Sequence, residues 1–239
     1  MSLVALALAL VITAIAAMLQ GSVGLGFAMV SVPLLSLIDP RLAPVPQLLV
    51  SLPLALAIAW RERESIELDG FGWIIIGSVP GALIGVLLLS LASARTLGLI
   101  IGFVVVAAAI AIAVGIHVQR TRSAKFFAGL VSGTTGLVAS IGGPPVALLY
   151  SNAEGRMIRP TLNSVFMIGL TMSLVFRTAS GNIALSDLWI GLALLPAAAI
   201  GYLLSSVVKD KMNASHARSG VLVISALGGI GLIVRALMG

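Results

Sequence analysis

The chain contains no cysteine, which excludes disulfides, thiolate metal sites and a cysteine nucleophile. It is short of charge: 9% of its residues are Asp, Glu, Lys or Arg, where soluble domains carry about 25%. Its two histidines, His117 and His216, sit at the ends of apolar runs beside basic residues and read as interfacial side chains, not as a metal pair. All eight acids (Asp39, Glu62, Glu64, Glu67, Asp69, Glu154, Asp187 and Asp210) lie in loops or at run ends. A proton-coupled carrier commonly buries an acid or a histidine in mid-helix, and none falls there. No His–Asp–Ser set lies inside the apolar runs, so no catalytic residue, metal or cofactor is expected and an enzyme is not the reading. Alternating ten-residue strands are also missing, which excludes a membrane β-barrel.

What the chain does have is apolar length. Of its 239 residues 59% are hydrophobic. Apolar runs fall at about 3–19, 27–38, 42–60, 71–91, 95–116, 126–138, 144–151, 160–178, 187–207 and 217–238. The class is an all-α polytopic membrane protein. The opening stretch MSLVALALALVITAIAAMLQG lacks the positive flank of a signal peptide and its apolar run is long, so it reads as a retained helix. The net charge of +6 comes from fourteen Lys and Arg that lie almost entirely in loops. Charges placed so set orientation, and no nucleic acid is expected as a partner. The expected partners are a small anion and the lipid bilayer; a homodimer stays open. Trp60, Trp73 and Trp189 lie at run ends, where indole rings prefer the headgroup layer.

The chain repeats itself at a fixed offset of 116 residues. Gly26 pairs with Gly142, Pro44 with Pro160, Gln47 with Asn163, Arg61 with Arg177, Trp73 with Trp189, Pro80 with Pro196 and Gly85 with Gly201. Apolar sequences match by chance at Leu and Ala, but not readily at Trp, Pro and Arg in one register. The expected organisation is one integral membrane domain of two repeats, 1–120 and 121–239.

Loop charge separates two topologies. If the opening segments 2–38 and 126–151 each cross once, the basic loop residues split seven against seven. If each opening segment is a hairpin, one side holds Arg61, Arg63, Arg120, Arg122, Lys125, Arg156, Arg159, Lys209, Lys211 and Arg218, and the other only Arg41, Arg95, Arg177 and Arg235. Positive charge marks the cytoplasmic side, so the hairpin is favoured and the repeats have inverted topology.

Two glycine-rich interruptions point to function: QGSVGLGFAMVSVP at 20–33 and GTTGLVASIGGPPVALLY at 133–150. An unpaired backbone group costs several kcal/mol in lipid, so broken backbone must be buried in protein or line a wet cavity. Glycine permits the turn, and proline opening a new helix wastes no donor. One helix is expected to stop near Ser140 and another to start at Pro144. A restarted helix presents free N–H groups and the positive end of its dipole. In inverted-repeat transporters, interrupted segments at matching places mark the substrate site. The candidate binding residues are Gln20, Ser22, Gly24, Gly26, Gln47, Thr134, Ser140, Gly142, Gly143 and Asn163, with Ser132 and Thr135 as further donors nearby. Gln47 and Asn163 could equally cap or cross-link helices. Gly77, Gly81, Gly85, Gly228, Gly229 and Gly231 read as close-packing positions. Arg159 and Arg177 read as interface anchors, and no buried cation is expected deep in a run.

At GSVGLGFAMVSVPLL and GLVSGTTGLVASIGGPPVALLY, continued by SNAEGRMIRPTLNSVFMIGL, the chain resembles the sulfite exporter TauE/SafE family of membrane permeases over nearly its whole length. The first motif departs from the family's usual glycine run, with Phe27 and Ala28 after Gly26. The resemblance implies transport of sulfite, sulfoacetate or related organosulfonates, as an exporter in a bacterial inner membrane. The residues alone supply only a small anion and a two-fold site at the midplane; the expected mechanism, on the repeat with its matched interruptions, is a secondary carrier working by alternating access. An anion channel of the same fold is the alternative.

Overall fold

The computed structural model describes residues 3–116, 118–150, 155–209 and 214–238. His117, Glu154, Asp210 and Lys211 lie outside the described residues, as does the side chain of Arg156. The described residues form ten α-helices: α1 (Leu3–Val23), α2 (Phe27–Ile38), α3 (Val45–Arg61), α4 (Phe71–Leu91), α5 (Ala94–Ala113), α6 (Arg122–Ala139), α7 (Gly143–Leu149), α8 (Gly155–Ala179), α9 (Leu185–Val208) and α10 (Ala214–Met238). Short 3₁₀ turns at Pro40–Leu42 and Arg63–Ser65 precede and follow α3. Among the described residues, seven helices are long and apolar enough to cross a membrane. The protein is a multi-pass, all-helical membrane protein. Its helices follow from the apolar runs: in lipid every backbone group must bond within its own segment. Large apolar side chains such as Leu87, Phe103, Leu203 and Leu227 point outward, as lipid requires.

Small residues decide which helices meet. Along the α4–α6 seam a Cβ added to Gly77 would strike the Phe126 carbonyl, and one on Gly81 the Leu130 carbonyl. In return, Gly129 and Gly133 lie on the carbonyls of Ile74 and Ser78. The matching seam joins α1 to α9, with Gly201 on the Ala14 carbonyl and Gly21 on Ser205. Both seams are parallel pairs, and each joins the first half of the chain to the second. Gly102 and Gly229 meet where α5 crosses α10, and Arg95 reaches the Leu237 carbonyl at 3.3 Å, so α5 and α10 run antiparallel. α3 and α8 also run antiparallel: Glu62 meets Arg159 at 3.1 Å at one end. At the other end Ser140 joins Pro44, and Arg177 joins Leu137.

The described part of the opening segment, residues 3–38, turns back on itself. α1 runs with α9, and Gly191 near the start of α9 lies against Leu49 and Pro46 at the start of α3. α3 begins where α2 ends, so α2 returns to the side from which α1 departs. α2 has 12 residues and α7 has 7, or roughly 18 and 10 Å at 1.5 Å per residue. Neither spans a hydrocarbon core of about 30 Å. Around the loop end of α3 the charges pair off: Arg120 with Glu67, Lys125 with Asp69, and Glu62 with Arg61, Arg159 and Lys209.

Candidate functional site

Both interruptions form, at the places the glycines indicate. α1 stops at Val23 and α2 starts at Phe27. Gly24 and Gly26 between them have φ of 91° and 121°, conformations that side chains rarely adopt. α6 stops at Ala139, Ser140 takes a left-handed conformation with φ of 58°, and α7 starts at Gly143.

The two breaks border one partly open cavity of about 60 Å³. Gln20, Gly26, Phe27, Ala28 and Met29 face it from the first break, Ser51 from α3, and Ser132 and Gly136 from α6. Ser140, Ile141, Gly142, Gly143 and Pro144 face it from the second break, and Val165, Phe166, Gly169, Leu170 and Ser173 from α8. None of these lining residues is charged.

Hydrogen bonds fix both breaks. The Phe27 N–H donates to Gln20 Oε1 at 2.9 Å. Gln20 Nε2 in turn donates to Asn163 Oδ1 at 3.0 Å. Asn163 Nδ2 donates to the Gly24 carbonyl at 3.2 Å and to the Arg159 carbonyl at 2.8 Å. Asn163 on α8 thus clamps the α1–α2 turn. At the second break Ser132 Oγ donates to the Gly142 carbonyl, Thr135 Oγ1 to the Ile141 carbonyl at 2.8 Å, and Ser140 Oγ to the Pro44 carbonyl at 3.0 Å.

The donors left for a ligand are few. Helix geometry leaves the first N–H groups of α2 without intrahelical acceptors, and Ala28 and Met29 in that turn line the cavity. α7 offers less, because Pro144 and Pro145 carry no N–H. The hydroxyls of Ser51, Ser132 and Ser140 are turned to backbone carbonyls. Ser173 is the exception: its residue is 3% exposed, it lines the cavity, and its hydroxyl has no partner among the described residues.

Of the residues expected from sequence, Gln20, Gly26, Ser140, Gly142 and Gly143 line the cavity, and Ser22, Gly24, Gln47, Thr134 and Asn163 do not. Ser22 donates to the Met18 carbonyl at 2.8 Å. Thr134 bonds the Gly81 and Leu130 carbonyls inside the α4–α6 seam. Gln47 is fully buried and donates to the Leu42 carbonyl at 3.2 Å. Gly24 packs under Arg159. Ser51, Phe166, Gly169 and Ser173 were missed, since nothing in an apolar run marks which face is wet.

The reading of Arg177 as an interface anchor is corrected. Arg177 is 3% exposed, and its guanidinium donates to the Leu137 and Val138 carbonyls at the end of α6. Its repeat mate Arg61 donates to the Gly21 carbonyl at 3.0 Å, near the end of α1. Gly21 and Leu137 are themselves 116 residues apart. Each broken helix therefore ends on a guanidinium from α3 or α8, which satisfies the orphan carbonyls that a helix end leaves. The partial negative charge there attracts a cation.

Residues 8–232 match the protein family described as "Sulfite exporter TauE/SafE". No curated protein and no solved structure matches the chain.

Proposed function

The chain belongs to the sulfite exporter TauE/SafE family, a family of membrane transporters for sulfur-containing anions. From that premise we propose that it is a secondary carrier in a bacterial inner membrane. It exports sulfite, sulfoacetate or a related organosulfonate by alternating access at a site between inverted repeats 1–120 and 121–239. The observation that carries this reading is the uncharged cavity shared by both helix breaks, with the unpartnered Ser173 hydroxyl on its wall. N–H groups at the start of α2 and the Ser173 O–H can hold an anionic oxygen without a counter-charge, and a site without a buried cation holds its cargo loosely enough to release it. Gln20, Gly26, Ser140, Gly142 and Gly143 are the proposed contacts, and Asn163 positions the first break. Ser22, Gly24, Gln47 and Thr134 serve from behind the wall, through packing and carbonyl bonding.

Inversion is supported by two features. Elements α1–α5 and α6–α10 correspond in order at the 116-residue offset. The mates α5 and α10, and the mates α3 and α8, run antiparallel, which a two-fold axis in the membrane plane requires and parallel repeats forbid.

The test is a melting screen of purified protein against sulfite, sulfoacetate, taurine, thiosulfate and acetate, since a ligand of the folded state raises its melting temperature. Gly169 lines the cavity and an added Cβ there meets nothing within 4 Å. Gly169→Val is expected to fold normally and lose the ligand shift. Ser173→Ala removes about one hydrogen bond, ~1 kcal/mol, or roughly five-fold in affinity. A full ligand shift in both variants would refute this site. Counterflow in proteoliposomes tests the carrier mechanism, because a pore shows no trans-stimulation.

A further inference from the structure

A second cavity, of about 130 Å³, lies between α3 and α9, and its wall is apolar. Pro53, Leu54 and Ala57 face Leu195, Ala199 and Tyr202 across it. Pro53 and Ala199 are exposed, so the cleft opens sideways to the lipid. The one hydroxyl in the wall is already used: Tyr202 donates to the Ala57 carbonyl at 3.1 Å. The two helices run parallel here, and the cleft follows them for about two turns, roughly 10 Å at 1.5 Å per residue.

One end of the cleft is charged. The Arg61 guanidinium stacks over the Tyr202 ring at 4.9 Å, and its Nε is buried with no hydrogen-bond partner among the described residues. Arg63 stacks over Trp60 at 5.1 Å, and Trp60, 67% exposed, marks headgroup depth. Lys209 approaches Glu62 only to 3.7 Å. Against Glu62 and Glu64, the group Arg61, Arg63, Arg159 and Lys209 leaves two positive charges in excess.

We propose that this cleft binds an anionic phospholipid. One acyl chain fills the slot between α3 and α9, and the headgroup phosphate meets Lys209 and Arg63 beside Arg61. The pairing of an apolar slot with a cationic mouth at headgroup depth is the chemistry of such a lipid. A small anion has no tail for the slot, and a neutral lipid has no net charge for the mouth. The proposal is independent of the transported substrate.

The test measures melting of the full-length protein in detergent with added phosphatidylglycerol, with phosphatidylcholine of the same acyl chains, and with inorganic phosphate. Phosphatidylglycerol is expected to raise the melting temperature several degrees more than phosphatidylcholine, and phosphate to do nothing. Ala199→Leu narrows the slot without changing charge, and the double variant Arg63→Gln, Lys209→Gln empties the mouth. Each is expected to lose most of the phosphatidylglycerol preference, and unchanged melting in phosphatidylcholine reports an intact fold. If one variant fails to fold, the other decides. Equal shifts from the two lipids overturn the proposal, as does a preference that survives in the folded variants. Protection by inorganic phosphate as strong as that by phosphatidylglycerol overturns the lipid assignment.

Discussion

The Asn163 amide ties the first break to α8: its Oδ1 accepts from the Gln20 side chain, and its Nδ2 donates to the Gly24 carbonyl and to the Arg159 carbonyl of its own helix. Asn163→Ala leaves the Gln20 amide and the Gly24 carbonyl without partners in a buried place. Each unmet group costs about 1–3 kcal/mol. The expected result is a lower melting temperature in detergent and loss of transport, although the side chain never lines the cavity. Its repeat mate Gln47 shows the limit of reading residues from sequence. The two amides match in register, yet Gln47 Oε1 is buried with no partner among the described residues while Asn163 is the clamp. The sequence marks both as polar groups after a proline. Only the packing of α8 against the first break separates them. Arg177 makes the same point from the other side. Its position near a run end suggests an anchor, and nothing local reveals that the α6 carbonyls await it.

At the scale of elements, glycine does two opposite jobs, and a pair of variants separates them. Gly81→Val forces a side chain into the Leu130 carbonyl. Overpacking of this kind costs about 1–3 kcal/mol, so the melting temperature should fall with or without ligand. Gly169→Val has open space and should leave melting without ligand unchanged. The broken helices were legible because Gly24, Gly26, Gly142 and Pro144 are poor helix formers placed where lipid tolerates none without a reason. The short restart at Pro144 was legible too, within one residue of α7's start. Helix partners were not legible. In a soluble protein the apolar stripe names the buried face, but here Leu87 and Leu203 face lipid and are as apolar as the core. Hydropathy therefore says that α4 spans and is silent on its seam with α6. The close-packing glycines Gly77, Gly81 and Gly85 were the available signal, since small residues mark the side that touches another backbone.

For the whole molecule, inversion predicts opposite exposure of matched loops. Glu64 and Ser180 lie 116 residues apart, and both are exposed. With no native cysteine, Glu64→Cys and Ser180→Cys can each be labelled alone by an impermeant maleimide. Labelling from opposite faces of the membrane is expected; labelling from one face would make the repeats parallel. The two glycine seams then carry a consequence for motion. α1 is welded lengthwise to α9 and α6 to α4, backbone on backbone, so the halves of the sequence cannot part like two shells. Any swing that opens the cavity must carry α1 with α9 as one plank and α4 with α6 as another. The sliding surface is then the less densely packed contact of α3 with α8, and a cross-link pinning α3 to α8 would stall the cycle where one inside a plank would not.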